Sequence, residues 1–364
     1  MKNLSDSINE TLSKNLKDQL LQLIDSESLT DDIGVMMLNL IQDNNKVSRE
    51  ELDSYFINRG IDDDKKNIIR IFKDYGALNT LYNLMTPNSN NLISVEDFLK
   101  SDNIYTLIQK SNPIISIDLL KDLAQENPSR GGITRGMFEI LCLLFFKEVN
   151  NKNSSLGLKG HGDIHANGLA LEFKTPGARV KSQKEHSAAL IDNYIEKEIS
   201  KLTKEKLNFK KIMSSQKSII KFIDSVNEAY SLTAEYWFDI LVGGLFAQYD
   251  IRDKDMWSRL FNYEDFKSHF VSIYSNRSQF AKDLIRLMGC IQLRLYQQEE
   301  MFDYIVLFKG RNGNQSLNTG DYICIDADYI RDIDKVFNDK HIILSGGGDG
   351  YGSVRDHYCH IEYI

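Results

Sequence analysis

Residues 160–177 read GHGDIHANGLALEFKTPG, and the Asn167-Gly168 pair at their centre decides how the stretch folds. A two-residue hairpin turn of type I′ needs positive φ at both central positions, which Asn and Gly accept most readily. Counting outward from the turn, Ala166 faces Leu169, His165 faces Ala170, Ile164 faces Leu171 and Asp163 faces Glu172. Side chains alternate along a strand, so Ile164, Leu171 and Phe173 share one side, while Asp163, His165, Ala170, Glu172 and Lys174 share the other. The apolar side is expected to pack inward and leave two opposed carboxylates on the second side.

Two carboxylates about 5 Å apart repel by about 3 kcal/mol at an effective dielectric near 20, and like charges directly opposite destabilise a sheet. A hard divalent cation held by both would offset that repulsion. Mg²⁺ commonly uses one or two carboxylates together with water and phosphate oxygens. Lys174, two residues beyond Glu172, projects to the same side, where an ammonium can hold a water or stabilise negative charge growing on a phosphate.

The surrounding chain is that of an ordered protein: 364 residues, 42% hydrophobic and 26% charged, with four prolines, enough for one large domain or two to three ordinary ones. Its apolar run ILCLLFF (140–146) falls far short of the roughly 20 residues of a membrane span, and MKNLSDSINE has no apolar signal-peptide stretch. A cytoplasmic location is expected. Cys142, Cys290, Cys324 and Cys359 form no C-x-x-C pair, so they read as reduced thiols, not as a disulfide framework or a cysteine-rich zinc site. Abundant Asn, Ile, Lys and Asp fit an AT-rich genome, such as that of a phage or a low-GC bacterium.

The net charge of −8 hides a pattern. Residues 1–130 carry a balance of −7, residues 131–222 one of +7, and residues 223–364 one of −8. The basic third contains the hairpin. It reads either as a focused phosphate-binding surface or as a solvated basic helix.

Residues 1–128 read as a helical domain for recognition or a partner, with amphipathic stretches such as LKDQLLQLIDS and DDIGVMMLNLIQ. A weak repeat, NNKVSREELDSYF (44–56) and NNLISVEDFLKSD (90–102), carries an S-x-x-[ED] capping box in each copy. These segments faintly resemble the outgoing half of EF-hands, but Thr86, Asn91 and Asp97 stand where a calcium loop needs aspartate, glycine and glutamate. The boundary is NPSRGGITRG (127–136). A buried helix is expected over 134–149, with Glu139 the lone acid of its apolar segment 137–146 and Arg135 an i, i+4 partner for it. Residues 183–301 read as a helical insertion. Strand-like runs return at 302–309, 321–326, 341–345 and 357–364, an order that suggests an α+β or α/β fold.

At Asp163 in GDIH and Glu172-Phe173-Lys174 in LEFK, the chain resembles the PD-(D/E)xK nucleases, a restriction-endonuclease-like superfamily. The resemblance covers about residues 131–180, and Gly162 stands where the family pattern has proline. It implies a mixed-sheet core flanked by helices over residues 129–364. It also implies Mg²⁺, replaceable by Mn²⁺, on Asp163, Glu172 and the Phe173 carbonyl, with Glu139 as a supporting acid, and hydrolysis of DNA phosphodiesters with Asp163, Glu172 and Lys174 as catalytic residues. Asp63-Asp64-Lys65 and Asp265-Phe266-Lys267 are decoys of the E-x-K triplet without strand-like context. The same fold without cutting, as a nucleic-acid binder or a structural part of a phage or defence assembly, is the other reading; the acidic flanks favour it.

His161 and His165 flank Asp163 and read either as phosphate or metal-shell contacts or as ordinary polar residues at a rim. Arg179, Lys181 and Lys184 open a basic run that fits a phosphate track. The glycine-rich SGGGDGYGSVRDHYCH (345–360) lacks the G-K-[ST] of a phosphate loop; it is a structural turn or a loop reaching a DNA groove through Arg355. His357, Cys359 and His360 do not make a convincing zinc site. A homodimer would suit double-strand cutting, though no heptad compels it.

Overall fold

The computed structural model describes residues 49–85, 90–126, 129–130, 133–134, 136–149, 162–181, 188–204, 216–246, 261–345 and 358–364. In chain order the helices are α1 (Arg49–Asn58), α2 (Lys65–Asp74), α3 (Leu78–Met85), α4 (Val95–Lys100), α5 (Ile104–Ser111), α6 (Ile117–Gln125), α7 (Glu139–Phe145), α8 (Ala188–Thr203), α9 (Gln216–Tyr230), α10 (Ala234–Phe246), α11 (Tyr263–Ser275), α12 (Phe280–Glu300), α13 (Gly313–Thr319), α14 (Ala327–Arg331) and α15 (Ile333–Asn338). The strands are β1 (Ser129–Arg130), β2 (Ile133–Thr134), β3 (Ile164–Ala166), β4 (Leu169–Lys174), β5 (Ala178–Lys181), β6 (Tyr304–Phe308), β7 (Tyr322–Asp326), β8 (Ile342–Ser345) and β9 (Tyr358–Tyr363). The fold is mixed α and β, and the four late strands fall where their sequence runs place them. Among the described residues no helix is long and apolar enough to cross a membrane. The helices expected within 16–42 lie outside the described residues.

The chain divides into two compact units, Met1–Phe173 with Gly313–Ile323, and Lys174–Asn312 with Cys324–Ile364. This corrects the boundary expected at 128, since the early helices and the hairpin through Phe173 belong to one unit. The reason lies at the end of α7. Arg59, on the turn after α1 and only 7% exposed, donates through Nη1 to the carbonyls of Leu143 (3.1 Å) and Phe146 (3.0 Å). The Tyr55 hydroxyl donates to Leu144 O at 2.8 Å and the Ile93 N–H to Phe145 O at 2.7 Å. A buried helix end must find donors for its last carbonyls, and here residues far upstream supply them.

Helix α7 is shorter than the expected 134–149. It is buried throughout, but it starts only at Glu139 because Phe138 takes a left-handed φ of 71°, which no helix interior accepts. The Glu139 carboxylate folds back to accept the Gly136 N–H. A Cβ on Gly136 would lie 2.5 Å from that carboxylate oxygen, so a side chain there would displace the Glu139 carboxylate. Arg135, the expected partner of Glu139, lies outside the described residues.

Elsewhere in the first unit α4, α5 and α6 begin on side-chain caps. Ser94, Asn103 and Ser116 accept the N–H of Asp97, Thr106 and Leu119, as short polar residues do at the first turn. The Ser94 hydroxyl donates to the Asp97 carboxylate at 2.7 Å, so this acid of the EF-hand-like repeat serves the cap. Phe98 of α4 is the centre of an aromatic cluster, with ring centroids 4.5 Å from Tyr322, 4.8 Å from Phe146 and 6.2 Å from Phe173.

In the second unit the described part of 183–301 is largely helical, as expected, in α8 to α12. The sheet β5–β9–β8 is antiparallel throughout. Helix α12 lies against it at Gly289, where a Cβ would come within 2.8 Å of the Leu344 side chain, and the Cys359 thiol reaches the Gly289 carbonyl at 3.7 Å. A side chain at 289 would hold helix and sheet apart.

Candidate active site

Asn167 and Gly168 have φ of 50° and 76°, as a type I′ turn requires. The pairs Ala166–Leu169, His165–Ala170 and Ile164–Leu171 form in the expected register. The hairpin is tied down at its tip, where the Asn167 N–H donates to Glu148 O at 3.3 Å.

The fourth expected pair, Asp163 opposite Glu172, does not form. Gly162 has a φ of 66°, and the Asp163 N–H donates to the carbonyl of Leu171 at 2.8 Å, the residue already paired with Ile164. Two residues therefore meet one on the facing strand, the pattern of a β-bulge. The Asp163 carboxylate then swings across and accepts the Phe173 N–H at 2.8 Å. In an unbroken ladder that N–H would be answered by the carbonyl of Gly162, so a side chain completes what the bulge interrupts.

The bulge also accounts for the missing proline. Proline holds φ near −65°, and a Cβ at 162 would lie 3.0 Å from Leu171 O. Glycine is the residue that this backbone permits.

Glu172 is 3% exposed, and Ala170, Leu171 and Phe173 are buried with it. Both sides of β4 are thus covered, against the expectation that the acidic side faces outward. A carboxylate in such a place needs compensation by hydrogen bonds or opposite charge. Phe173 is fixed on both sides of its backbone, its ring in the Phe98 cluster and its N–H on Asp163, so its carbonyl is held in place too.

Lys174 ends the same strand and opens the second unit. Its ammonium lies 5.2 Å from the centroid of the Tyr296 ring on α12, within reach of a cation–π contact. One turn earlier on that face of α12 is Gln292, 1% exposed, whose Oε1 has no hydrogen-bond partner among the described residues. Tyr296 and Gln292 escape any reading of the hairpin alone, because they stand about 120 residues downstream and nothing local to them marks the connection.

The other expected site residues separate. Glu139 is engaged by the Gly136 N–H, and among the described residues no group of three or more His, Cys, Asp or Glu is arranged to hold a metal; Glu139 does not join Asp163 and Glu172 in such a group. Two carboxylates and the Phe173 carbonyl still form an all-oxygen donor set of the kind Mg²⁺ accepts when water and phosphate supply the rest. His165 is half-buried in β3. Arg179 is exposed on β5 opposite His360, and Lys181 pairs in register with Tyr358. His161, Lys184 and Arg355 lie outside the described residues. The decoy triplets sit at helix starts: Asp64 precedes α2 and Lys65 pairs with Asp53 at 2.5 Å, while the Asp265 N–H is capped by Asn262.

Comparison of the chain with family models, curated proteins and solved structures gives no match.

Proposed function

We propose that this chain is a metal-dependent phosphodiesterase that cuts DNA, built on a restriction-endonuclease-like core. The observation that carries the reading is the bulged hairpin: Asp163 is bound to the backbone N–H between Glu172 and Lys174, which ties the two halves of the D…E-x-K pattern together. DNA, rather than RNA, rests on the resemblance of that pattern to the PD-(D/E)xK nucleases.

In this reading Asp163, Glu172 and the Phe173 carbonyl hold Mg²⁺ or Mn²⁺. Bound there, the ion would supply positive charge for the phosphoryl group and a water of lowered pKa. The buried setting of Glu172 limits competing solvent and strengthens the electrostatics of the site. Lys174, with its ammonium against the Tyr296 ring, orients the attacking water or a phosphate oxygen through its N–H donors. The phosphodiester opens to a 5′-phosphate and a 3′-hydroxyl.

A second reading keeps the fold as a non-cutting nucleic-acid binder or assembly component, and the engagement of Glu139 by Gly136 favours it. The test is to incubate wild type, Glu172→Ala and Lys174→Ala with supercoiled, linear and single-stranded DNA and with RNA, in Mg²⁺, Mn²⁺, Ca²⁺ or EDTA. Cutting of DNA by wild type alone, dependent on Mg²⁺ or Mn²⁺, is expected. Equal cutting by the Glu172 variant, or no cutting of any substrate with any metal, would overturn the proposal.

A further inference from the structure

The sheet β5–β9–β8 has two unlike sides. Val180, Cys359, Ile361, Ile342 and Leu344 are buried on the side that meets α12. Alternation sends their neighbours to the opposite side, and there the register lines up Arg179 of β5, His360 of β9 and Ser345 of β8 in one row across all three strands. Arg179 is exposed, and His360 and Ser345 are half-buried. The imidazole is fixed in direction because its Nδ1 donates to the Gly177 carbonyl at 2.9 Å, and a carbonyl accepts only from a protonated ring nitrogen.

From this arrangement we infer that the side of the sheet turned away from α12 is a docking surface for the phosphate backbone of DNA, centred on the Arg179–His360–Ser345 row. The occupant follows from three features. Guanidinium and hydroxyl groups contact phosphate oxygens without reading sequence, and the His360 ring, whose Nδ1 proton is on Gly177, adds a donor at Nε2 when it is protonated. Arg179 lies in the basic stretch of an otherwise acidic chain, where residues 131–222 carry +7, and the register brings His360 and Ser345 to it from the later, acidic third. Arg179 follows Lys174 by five residues through the turn at Gly177, so a strand held at the lysine has a short path onto this face. The inference rests on the proposed function for its choice of DNA, but it adds a surface and two residues, His360 and Ser345, that the hairpin does not contain.

The experiment is fluorescence anisotropy of the full chain with a labelled duplex of about 30 base pairs in EDTA, so that binding is read without cutting. Wild type, Glu172→Ala, the double variant Arg179→Ala/His360→Ala, Arg179→Lys and the control Arg331→Ala are compared, with thermal melts to establish that each folds. The double variant should bind about tenfold more weakly, with a salt dependence shallower by about one to two phosphate contacts. Arg179→Lys should keep most of the affinity, Arg331→Ala should bind as wild type does, and Glu172→Ala, which removes a negative charge from the proposed site, should bind at least as tightly as wild type.

A folded double variant that binds within twofold of wild type, or a wild type that binds no DNA, overturns this surface. Arg179-dependent binding without cutting in Mg²⁺ would overturn the nuclease reading and leave the surface standing. Cutting with Arg179-independent binding would do the reverse.

Discussion

The carboxylate of Asp163 accepts the backbone N–H of Phe173 at 2.8 Å, ten residues along the chain and across the hairpin. The bond makes Asp163 a structural residue as well as a candidate ligand, and the two roles separate by substitution. Asp163→Asn keeps an oxygen acceptor for the N–H and should stay within about 1 kcal/mol of wild-type stability, whereas Asp163→Ala leaves the donor unanswered and should cost about 1–3 kcal/mol. Urea denaturation measures both. Metal binding, followed by calorimetry, should be lost in each; Asp163→Asn binding Mg²⁺ as tightly as wild type would remove Asp163 from the ligand set.

Gly162 should tolerate no substitution well. Its φ of 66° and the 3.0 Å approach to Leu171 O act together, so Gly162→Ala is expected to lower stability by about 1–2 kcal/mol. Gly162→Pro, which fixes φ near −65° where the backbone needs +66°, should do greater harm. A thermal melt in which the proline variant equals or exceeds wild type would show that the bulge is not required.

Arg59→Met tests the capping of α7. The substitution keeps an apolar stem but removes the donor to the Leu143 and Phe146 carbonyls, both in buried surroundings, and should cost about 2–4 kcal/mol. Hydrogen exchange should show faster exchange of the α7 amides in the variant, with little change in α12. Unchanged protection of α7 would assign those carbonyls another donor.

The thiols should be inert in the native state. Burial pushes Cys290 and Cys324 up to about 12 and raises Cys359 further. A raised thiol pKa disfavours the reactive thiolate, so even at pH 9.5 less than about 1% of each of these three is ionised and labelling by Ellman's reagent should stay slow, whereas an ordinary thiol is mostly thiolate above pH 8.5. Denaturant should release all of them together with unfolding. Labelling of the folded protein at the rate of a free thiol would contradict these raised values.

Much of the hairpin was legible because its information is local. Asn167-Gly168 specifies the turn, the turn fixes the register, and three pairs follow. The fourth failed because a bulge depends on what Gly162 permits and on which carbonyl the Asp163 N–H meets, and residue spacing carries neither. The apolar run from Ile140 announced a buried helix, but its start was misplaced because nothing in the letters of Met137-Phe138 signals a left-handed phenylalanine. Tyr296 beside Lys174, and Arg59 beneath α7, are contacts between residues about 80 to 120 positions apart. Such pairings are set by packing, which no local pattern encodes.

The donors that Arg59 and Tyr55 lend to the end of α7 bear on how this protein can be re-engineered. A reader of the sequence would take the N-terminal helices for an exchangeable cassette, to be swapped for another specificity by joining a new head at NPSRGG. Such a chimera would inherit a buried helix whose terminal carbonyls expect a particular arginine and tyrosine. Any transplantable version must carry α1 along with the hairpin, because a seam at NPSRGG cuts through one folded unit.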